Sequence, residues 1–238
     1  MLKKTLLSVF FFIFIFNNNL LFSQEIPIIV IAPSKKPQSA STVGTSVVVL
    51  DEEYLKSSNE YFLGDVLSSG TTSANFFQNG GHGSTSAIQL RGLPKRYSTV
   101  YIDGVKMSDP SSVSGDFDFN HILTSQISRV EILKGNQSSV YGSGAIGGTI
   151  NITTKKGKPG TRTNSMINTG SHGTLNYSAS YSGSDDVNNF YVGFERFQTD
   201  GMSAMTHNDE KDGYKNSSLI ANYSRELPNN FKLKSNLR

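Results

Sequence analysis

The sequence predicts an α+β domain, a small mixed sheet with short helices, followed by the first strands of a transmembrane antiparallel β-barrel that this chain leaves incomplete. Three observations carry this prediction. A basic and then apolar N-terminus marks the chain for export. Between residues 78 and 154, short β-rich runs end repeatedly in glycine, and a glycine cluster feeds straight into a further strand. From residue 162 onward, apolar and polar side chains alternate with period two.

Composition supports this reading and excludes others. A chain of 238 residues has room for one or two domains with a real core. With 36% hydrophobic residues, 17% charged residues and 22 glycines, it is polar and glycine-rich, as turn-rich β structure requires. The net charge of +3 is scattered, with no basic stripe for a phosphate backbone, so no nucleic-acid partner is expected. The absence of cysteine excludes disulfides, thiolate metal sites and a thiol nucleophile. The histidines His82, His121, His172 and His207 lie far apart and make no metal-ligand spacing. The carboxylates are dispersed, and no serine or histidine stands as a nucleophile beside its base, so neither enzyme activity nor a cofactor is expected.

Residues 1–23 read as a signal peptide. Lys3 and Lys4 precede an apolar core, interrupted only by Ser8, of about 11 residues, too short for a membrane span of ~20. Residues 24–40 follow as a β segment and linker: Ile28, Ile29, Val30, Ile31 and Ala32 stand between Pro27 and Pro33, ahead of a flexible run from Ser34 to Ser39. A proline-bounded strand near a terminus suits β-augmentation, in which a partner's sheet takes up an extended peptide; an ordinary first strand is the alternative.

The domain spans residues 41–157. Residues 45–50 read as a strand, and Asp51 as the N-cap of a short helix starting at Glu52. A second helix is expected over 60–68, with Phe62, Leu63, Val66 and Leu67 at helical spacing. A strand over 74–77 leads into the polar loop 78–86, and two strands follow, separated by residues 92–98. Asp103-Gly104 is a tight turn, and 109–116 is a second polar loop. Gly142, Gly144 and Gly147 match the dinucleotide fingerprint in letters. That motif needs a helix next, and Thr149-Ile150-Asn151-Ile152 is a strand, so the nucleotide reading fails.

Residues 158–238 form the N-terminal part of the barrel, about five strands. Tyr177, Ala179 and Tyr181 alternate with Ser178, Ser180 and Ser182, and Val192 and Phe194 with Gly193 and Glu195. Single-chain membrane barrels need roughly eight strands at the least, and lipid cannot satisfy an open sheet edge. The chain is therefore expected to be truncated.

In order and spacing, Gln78-Asn79-Gly80-Gly81, Ile88-Gln89-Leu90-Arg91-Gly92, Tyr101-Ile102-Asp103-Gly104, Arg129-Val130-Glu131-Ile132-Leu133-Lys134-Gly135 and Tyr141-Gly142-Ser143-Gly144-Ala145-Ile146-Gly147-Gly148 resemble the plug domain of TonB-dependent outer-membrane receptors. The resemblance reaches over roughly residues 26–238. It implies a plug domain at 41–157 inside a barrel in the outer membrane of a Gram-negative bacterium, with lipid against the strands. It makes Ile28, Ile29, Val30, Ile31 and Ala32 a TonB box, the segment taken up by the periplasmic domain of TonB. It also implies energy-coupled import of a scarce nutrient. Within the family, the first of these stretches together with Val113-Ser114-Gly115 is similar to cobalamin (vitamin B12) transporters. That similarity implies substrate contacts at Gln78, Asn79, Val113, Ser114 and Gly115, and calcium held by barrel-loop carboxylates, here Asp209 and Asp212. Two alternatives stay open: a siderophore, haem or glycan receptor of the same architecture, and a truncated plug-like binding module that does not transport. Arg91, Arg129 and Glu131, read as buried charges, either hold the plug in the barrel or stabilise its own fold.

Overall fold

The computed structural model describes residues 29–32, 34–113, 115, 117–203, 205 and 210–238. The expected signal peptide and Ile28 lie outside the described residues. The chain opens with β1 (Ile29–Val30), which pairs antiparallel with β2 (Gln38–Ser39). The run expected to be a flexible linker thus folds back on itself. Val30 is fully buried, and main-chain groups beside a buried side chain need hydrogen-bond partners.

The domain proper contains β3 (Val47–Leu50), α1 (Glu52–Ser57), α2 (Leu63–Gly70), β4 (Ala74–Gln78), β5 (Ser86–Leu90), β6 (Ser98–Ile102), β7 (Val105–Met107), β8 (Ile127–Lys134), α3 (Ser138–Tyr141) and β9 (Gly148–Thr154). Five strands form a mixed sheet in the order β3-β8-β9-β6-β7, with β6 and β9 parallel and the other pairs antiparallel. β4 and β5 pair separately as a hairpin. The α+β class expected from the sequence is therefore the one found. The core is formed by Leu50, Leu63, Val66, Leu67, Ile88, Leu90, Val100, Ile132 and Ile150, where α2 and the hairpin cover the sheet.

The Asp51 carboxylate caps α1 by accepting from the Tyr54 amide at 2.9 Å, as the sequence predicts. The second helix begins at Leu63 rather than residue 60. Phe62 is drawn into a bridge with Leu123, and Tyr61 accepts from the Thr124 amide at 3.0 Å, so tertiary pairing takes these residues out of helical conformation. The glycine cluster delivers the chain into β9 without a helix. Gly148 has φ 151°, and a Cβ there would stand 2.3 Å from the Leu133 carbonyl oxygen, so this position excludes a side chain.

An antiparallel meander follows: β10 (Gly160–Thr169), β11 (Leu175–Ser184), β12 (Asn188–Thr199), β13 (Tyr214–Glu226) and β14 (Lys232–Leu237). Its alternation has an unusual polarity. The face turned to the domain buries Asn176, Ser182, Glu195 and Asn222, together with Tyr191 and Phe197. The face turned away exposes Tyr181 (51%), Val192 (44%), Phe194 (38%) and Leu219 (48%). A water-soluble sheet would bury the second set, whereas strands whose outer face meets lipid are built this way round. Among the described residues no helix is long and apolar enough to cross a membrane.

Candidate functional site

The meander has two different ends. The connections 185–187 and 227–231 lie at one; the connection 170–174 and the long connection 200–213 lie at the other. The candidate residues divide between these ends.

At the long-loop end, the β4–β5 hairpin carries the loop 79–85. The loop is braced by Asn79 N–H to Thr85 O (3.2 Å), Ser84 N–H to Gly81 O (3.2 Å) and the Gln78 side-chain amide to Gly81 O (2.6 Å). Gln78, expected to contact substrate, thus spends its amide on its own loop, while Asn79 is exposed where the loop leaves β4. In the second loop, Asp109 Oδ1 accepts from the Ser111 amide (2.8 Å) and hydroxyl (2.6 Å), and Gly115 N–H reaches Ser112 O (3.0 Å). Val113 is fully exposed at its crest, Gly115 turns there with φ 61°, and Ser114 lies outside the described residues.

The two loops share one root. The buried Ser86 hydroxyl donates to Asp118 Oδ1 at 2.6 Å and accepts from the Phe119 amide at 3.2 Å, so loop 78–86 and the return of loop 109–116 are tied together. Neither Ser86 nor Asp118 was singled out in the sequence. Their separation of 32 positions hides the pair, although an aspartate behind a Ser/Pro/Gly loop is a usable signal.

The first loop is also pinned to the barrel strands. His82 stacks on Phe62 (4.8 Å, 28°) and meets Phe197 edge-on (5.4 Å, 73°); Phe62 meets Phe197 at 4.9 Å and Tyr214 at 5.8 Å. The Tyr214 hydroxyl lies 2.8 Å from His121 Nδ1 and accepts from the Asn216 side-chain amide at 3.0 Å. Burial lowers the pKa of His82, and the Asp65 charge opposes this; burial raises Asp65, and His82 opposes that. His82 is thus a loop histidine whose ring packs on Phe62 and Phe197. Of the calcium pair, Asp209 lies outside the described residues and Asp212 is exposed beside Gly81. Among the described residues no group of three or more His, Asp or Glu side chains is placed to hold a metal ion.

At the short-turn end, Ile31 and Ala32 line a cavity of about 660 Å³ together with Asp185, Asp186, Glu226 and Lys232. Ala32 is buried against Leu133, Tyr141 and Ala145, while Ile31 is half exposed. Glu131 accepts from the amides of both residues, at 3.0 Å and 2.7 Å, and from Arg129 Nε at 2.7 Å. These contacts of Arg129 and Glu131 lie within the domain. Arg91 corrects the expectation of a buried charge: it is exposed, with φ 56°.

Other groups join domain and strands. Glu195 accepts from the Ser125 hydroxyl and from the Asn176 side-chain amide (3.2 Å). Gln126 donates to the carbonyls of Gly193 (3.4 Å) and Ser218 (3.3 Å), and Asn222 donates to Thr154 Oγ1 (2.7 Å) and Lys155 O (2.8 Å). These contacts are polar, beside the apolar cluster of Phe62, Leu123 and Phe197, and water can replace polar contacts when they part.

Comparison with known proteins agrees with this geometry. Residues 39–149 match the family model of the TonB-dependent Receptor Plug Domain. Among solved structures, the pyoverdine outer membrane receptor FpvA of Pseudomonas aeruginosa aligns at TM-score 0.71 and 16% identity, over 87% of this chain and 29% of that one. The Ferric-Catecholate import receptor Fiu of E. coli aligns at TM-score 0.64 and 20% identity, over 85% and 27%. The ferric yersiniabactin uptake receptor FyuA of Yersinia pestis aligns at TM-score 0.59 and 24% identity, over 79% and 29%. The chain thus spans under a third of the length of each of these three. Residues 39–149 thus match a TonB-dependent receptor plug domain, and the chain shares with these receptors the fold of such a domain followed by the first strands of a β-barrel.

Proposed function

With a plug domain seated against outer-membrane barrel strands, we propose that this chain serves the energy-coupled import of a scarce nutrient, with TonB as the periplasmic partner. The observation that carries the proposal is the division of the molecule into two ends. Long connections of outer-membrane barrels face the exterior and short turns face the periplasm. On that rule, the paired loops 78–86 and 109–116 lie on the outer side, and Ile29–Ala32 on the side where TonB would reach. Asn79, Val113, Ser114 and Gly115 are then the proposed substrate contacts, with Gln78, Ser86 and Asp118 shaping the loops that carry them.

For the ligand class we favour a ferric siderophore. The matched structures are described as siderophore, ferric-catecholate, pyoverdine and yersiniabactin receptors. The cobalamin reading drawn from the loop residues has no support from these neighbours.

Two measurements test the proposal. Cells producing the protein should bind ferric siderophores at about micromolar concentration or below and not cobalamin; the reverse would overturn the ligand class. Ile29→Pro removes a main-chain N–H from the segment and should abolish uptake while surface binding persists. Unchanged uptake would sink the coupling role.

A further inference from the structure

We propose that Glu131 is the latch of the TonB-binding segment: its carboxylate holds the Ile31 and Ala32 amides in a turn that cannot be added to a partner's sheet, and the segment becomes available when the carboxylate lets go. This rests on the reading of Ile29–Ala32 as the segment TonB takes up, and it adds the residue that regulates it.

The geometry is specific. Ile31 N–H lies 3.0 Å from Glu131 Oε2 and 3.3 Å from Oε1, and Ala32 N–H lies 2.7 Å from Oε2. In an extended strand, residues alternate and their ladder groups face opposite edges. Two successive amides converging on one carboxylate form an anion nest, a turn and not a strand. The Tyr141 hydroxyl donates to the Ala32 carbonyl, and the Lys35 ammonium stands over the Tyr141 ring at 5.1 Å. The Ile31 amide and both main-chain polar groups of Ala32 are therefore held by domain side chains. Strand addition would have to recruit those same groups.

The latch is rigidly mounted. Glu131 is 4% exposed in the middle of β8, opposite Val49 on one side and Asn151 on the other. Arg129 Nε at 2.7 Å supplies the counter-charge. Release of the segment would leave a buried carboxylate with fewer donors, which favours the closed state. TonB affinity is then reduced by the fraction of molecules in which the segment is free.

The chain contains no cysteine, so a single thiol-directed spin label can be placed without altering a background thiol. Ile31→Cys suits this because the side chain is half exposed; Val105→Cys on β7, 58% exposed, reports on the domain itself. In the otherwise unaltered protein, the label at 31 should be immobile. Glu131→Gln keeps the shape but loses the charge and one acceptor oxygen, and should raise the mobile fraction at position 31 about tenfold or more without change at 105. No change at 31, or equal loosening at both sites, would overturn the latch. Tyr141→Phe provides a second test that keeps Glu131. It should free the label partially, and an immobile label there would also count against the clamp. Isolated TonB periplasmic domain should bind Glu131→Gln more tightly than the unaltered protein in the absence of substrate. If the label is freed and that domain binds neither form, the partner assignment falls while the carboxylate clamp stands.

Discussion

Glu52 opens α1 under two opposing influences. Partial burial raises its pKa, while hydrogen bonds and charge from Lys158 and Lys56 outweigh that and hold the carboxyl at about 2, below its ordinary 4.5. A lowered carboxylate pKa contributes stability that is complete above the unfolded value and is lost as pH falls through the folded one. The domain should therefore lose a small increment of stability between about pH 4.5 and 2, small because a quarter of the side chain is in water. Unfolding midpoints measured across that window should lose this increment in Glu52→Gln. Gly148 makes the opposite case, where nothing can be added. Gly148→Ala must displace the Leu133 carbonyl and should cost about 1–3 kcal/mol, read from denaturant midpoints in detergent. At this scale the sequence was legible where chemistry is local. The Asp51 cap reads directly because its partner is three residues away, and Glu131 does not, because its partners lie 99 and 100 positions off.

Elements were legible to the extent that their own pattern decides them. The period-two alternation from residue 162 predicts about five strands, and the described residues form five. The strand after the glycine cluster was sound for the same reason, since β-branched alternation at 149–154 outweighs the motif letters. The second helix was misplaced at its start because pairing of Phe62 with Leu123 cannot be read from helical spacing. The linker run hid β2, whose partner is itself only two residues long. The meander's polarity yields a prediction at this scale. Val192 lies near the middle of β12 on the exposed face, and Val192→Arg should destabilise the membrane-inserted protein by about 2–4 kcal/mol. Folding titrations in lipid bilayers would measure this.

At the scale of the whole molecule, each candidate loop was legible in the sequence but their relation was not. The long-loop end gathers residues from positions 62, 82, 121, 197 and 214 into one aromatic cluster. The short-turn end gathers Ile31, Asp186 and Lys232 around one cavity. These are long-range contacts, and single-sequence periodicity contains no term for them. The family's plug-in-barrel arrangement predicted that a domain would sit against strands. It did not predict that Ser125, Gln126 and Lys155 would supply the domain's side of the seam.

The sheet order also has a mechanical meaning. β3, nearest the N-terminus, lies at an edge, while β9, nearest the barrel, has a neighbour on both sides. Just beyond β9 the chain is pinned: Asn189 grips both main-chain groups of Gly157, at 2.9 Å and 2.8 Å, and a Cβ there would stand 1.9 Å from the Gly183 carbonyl oxygen. A load applied at Ile29 therefore pulls against a fixed far end and meets the edge strand first. Loss of the ladders in sequence from that edge is the expected outcome. Pulled from its N-terminus in a force spectrometer, the protein should release β1 through β3 in an early step, before β6, β8 and β9 yield.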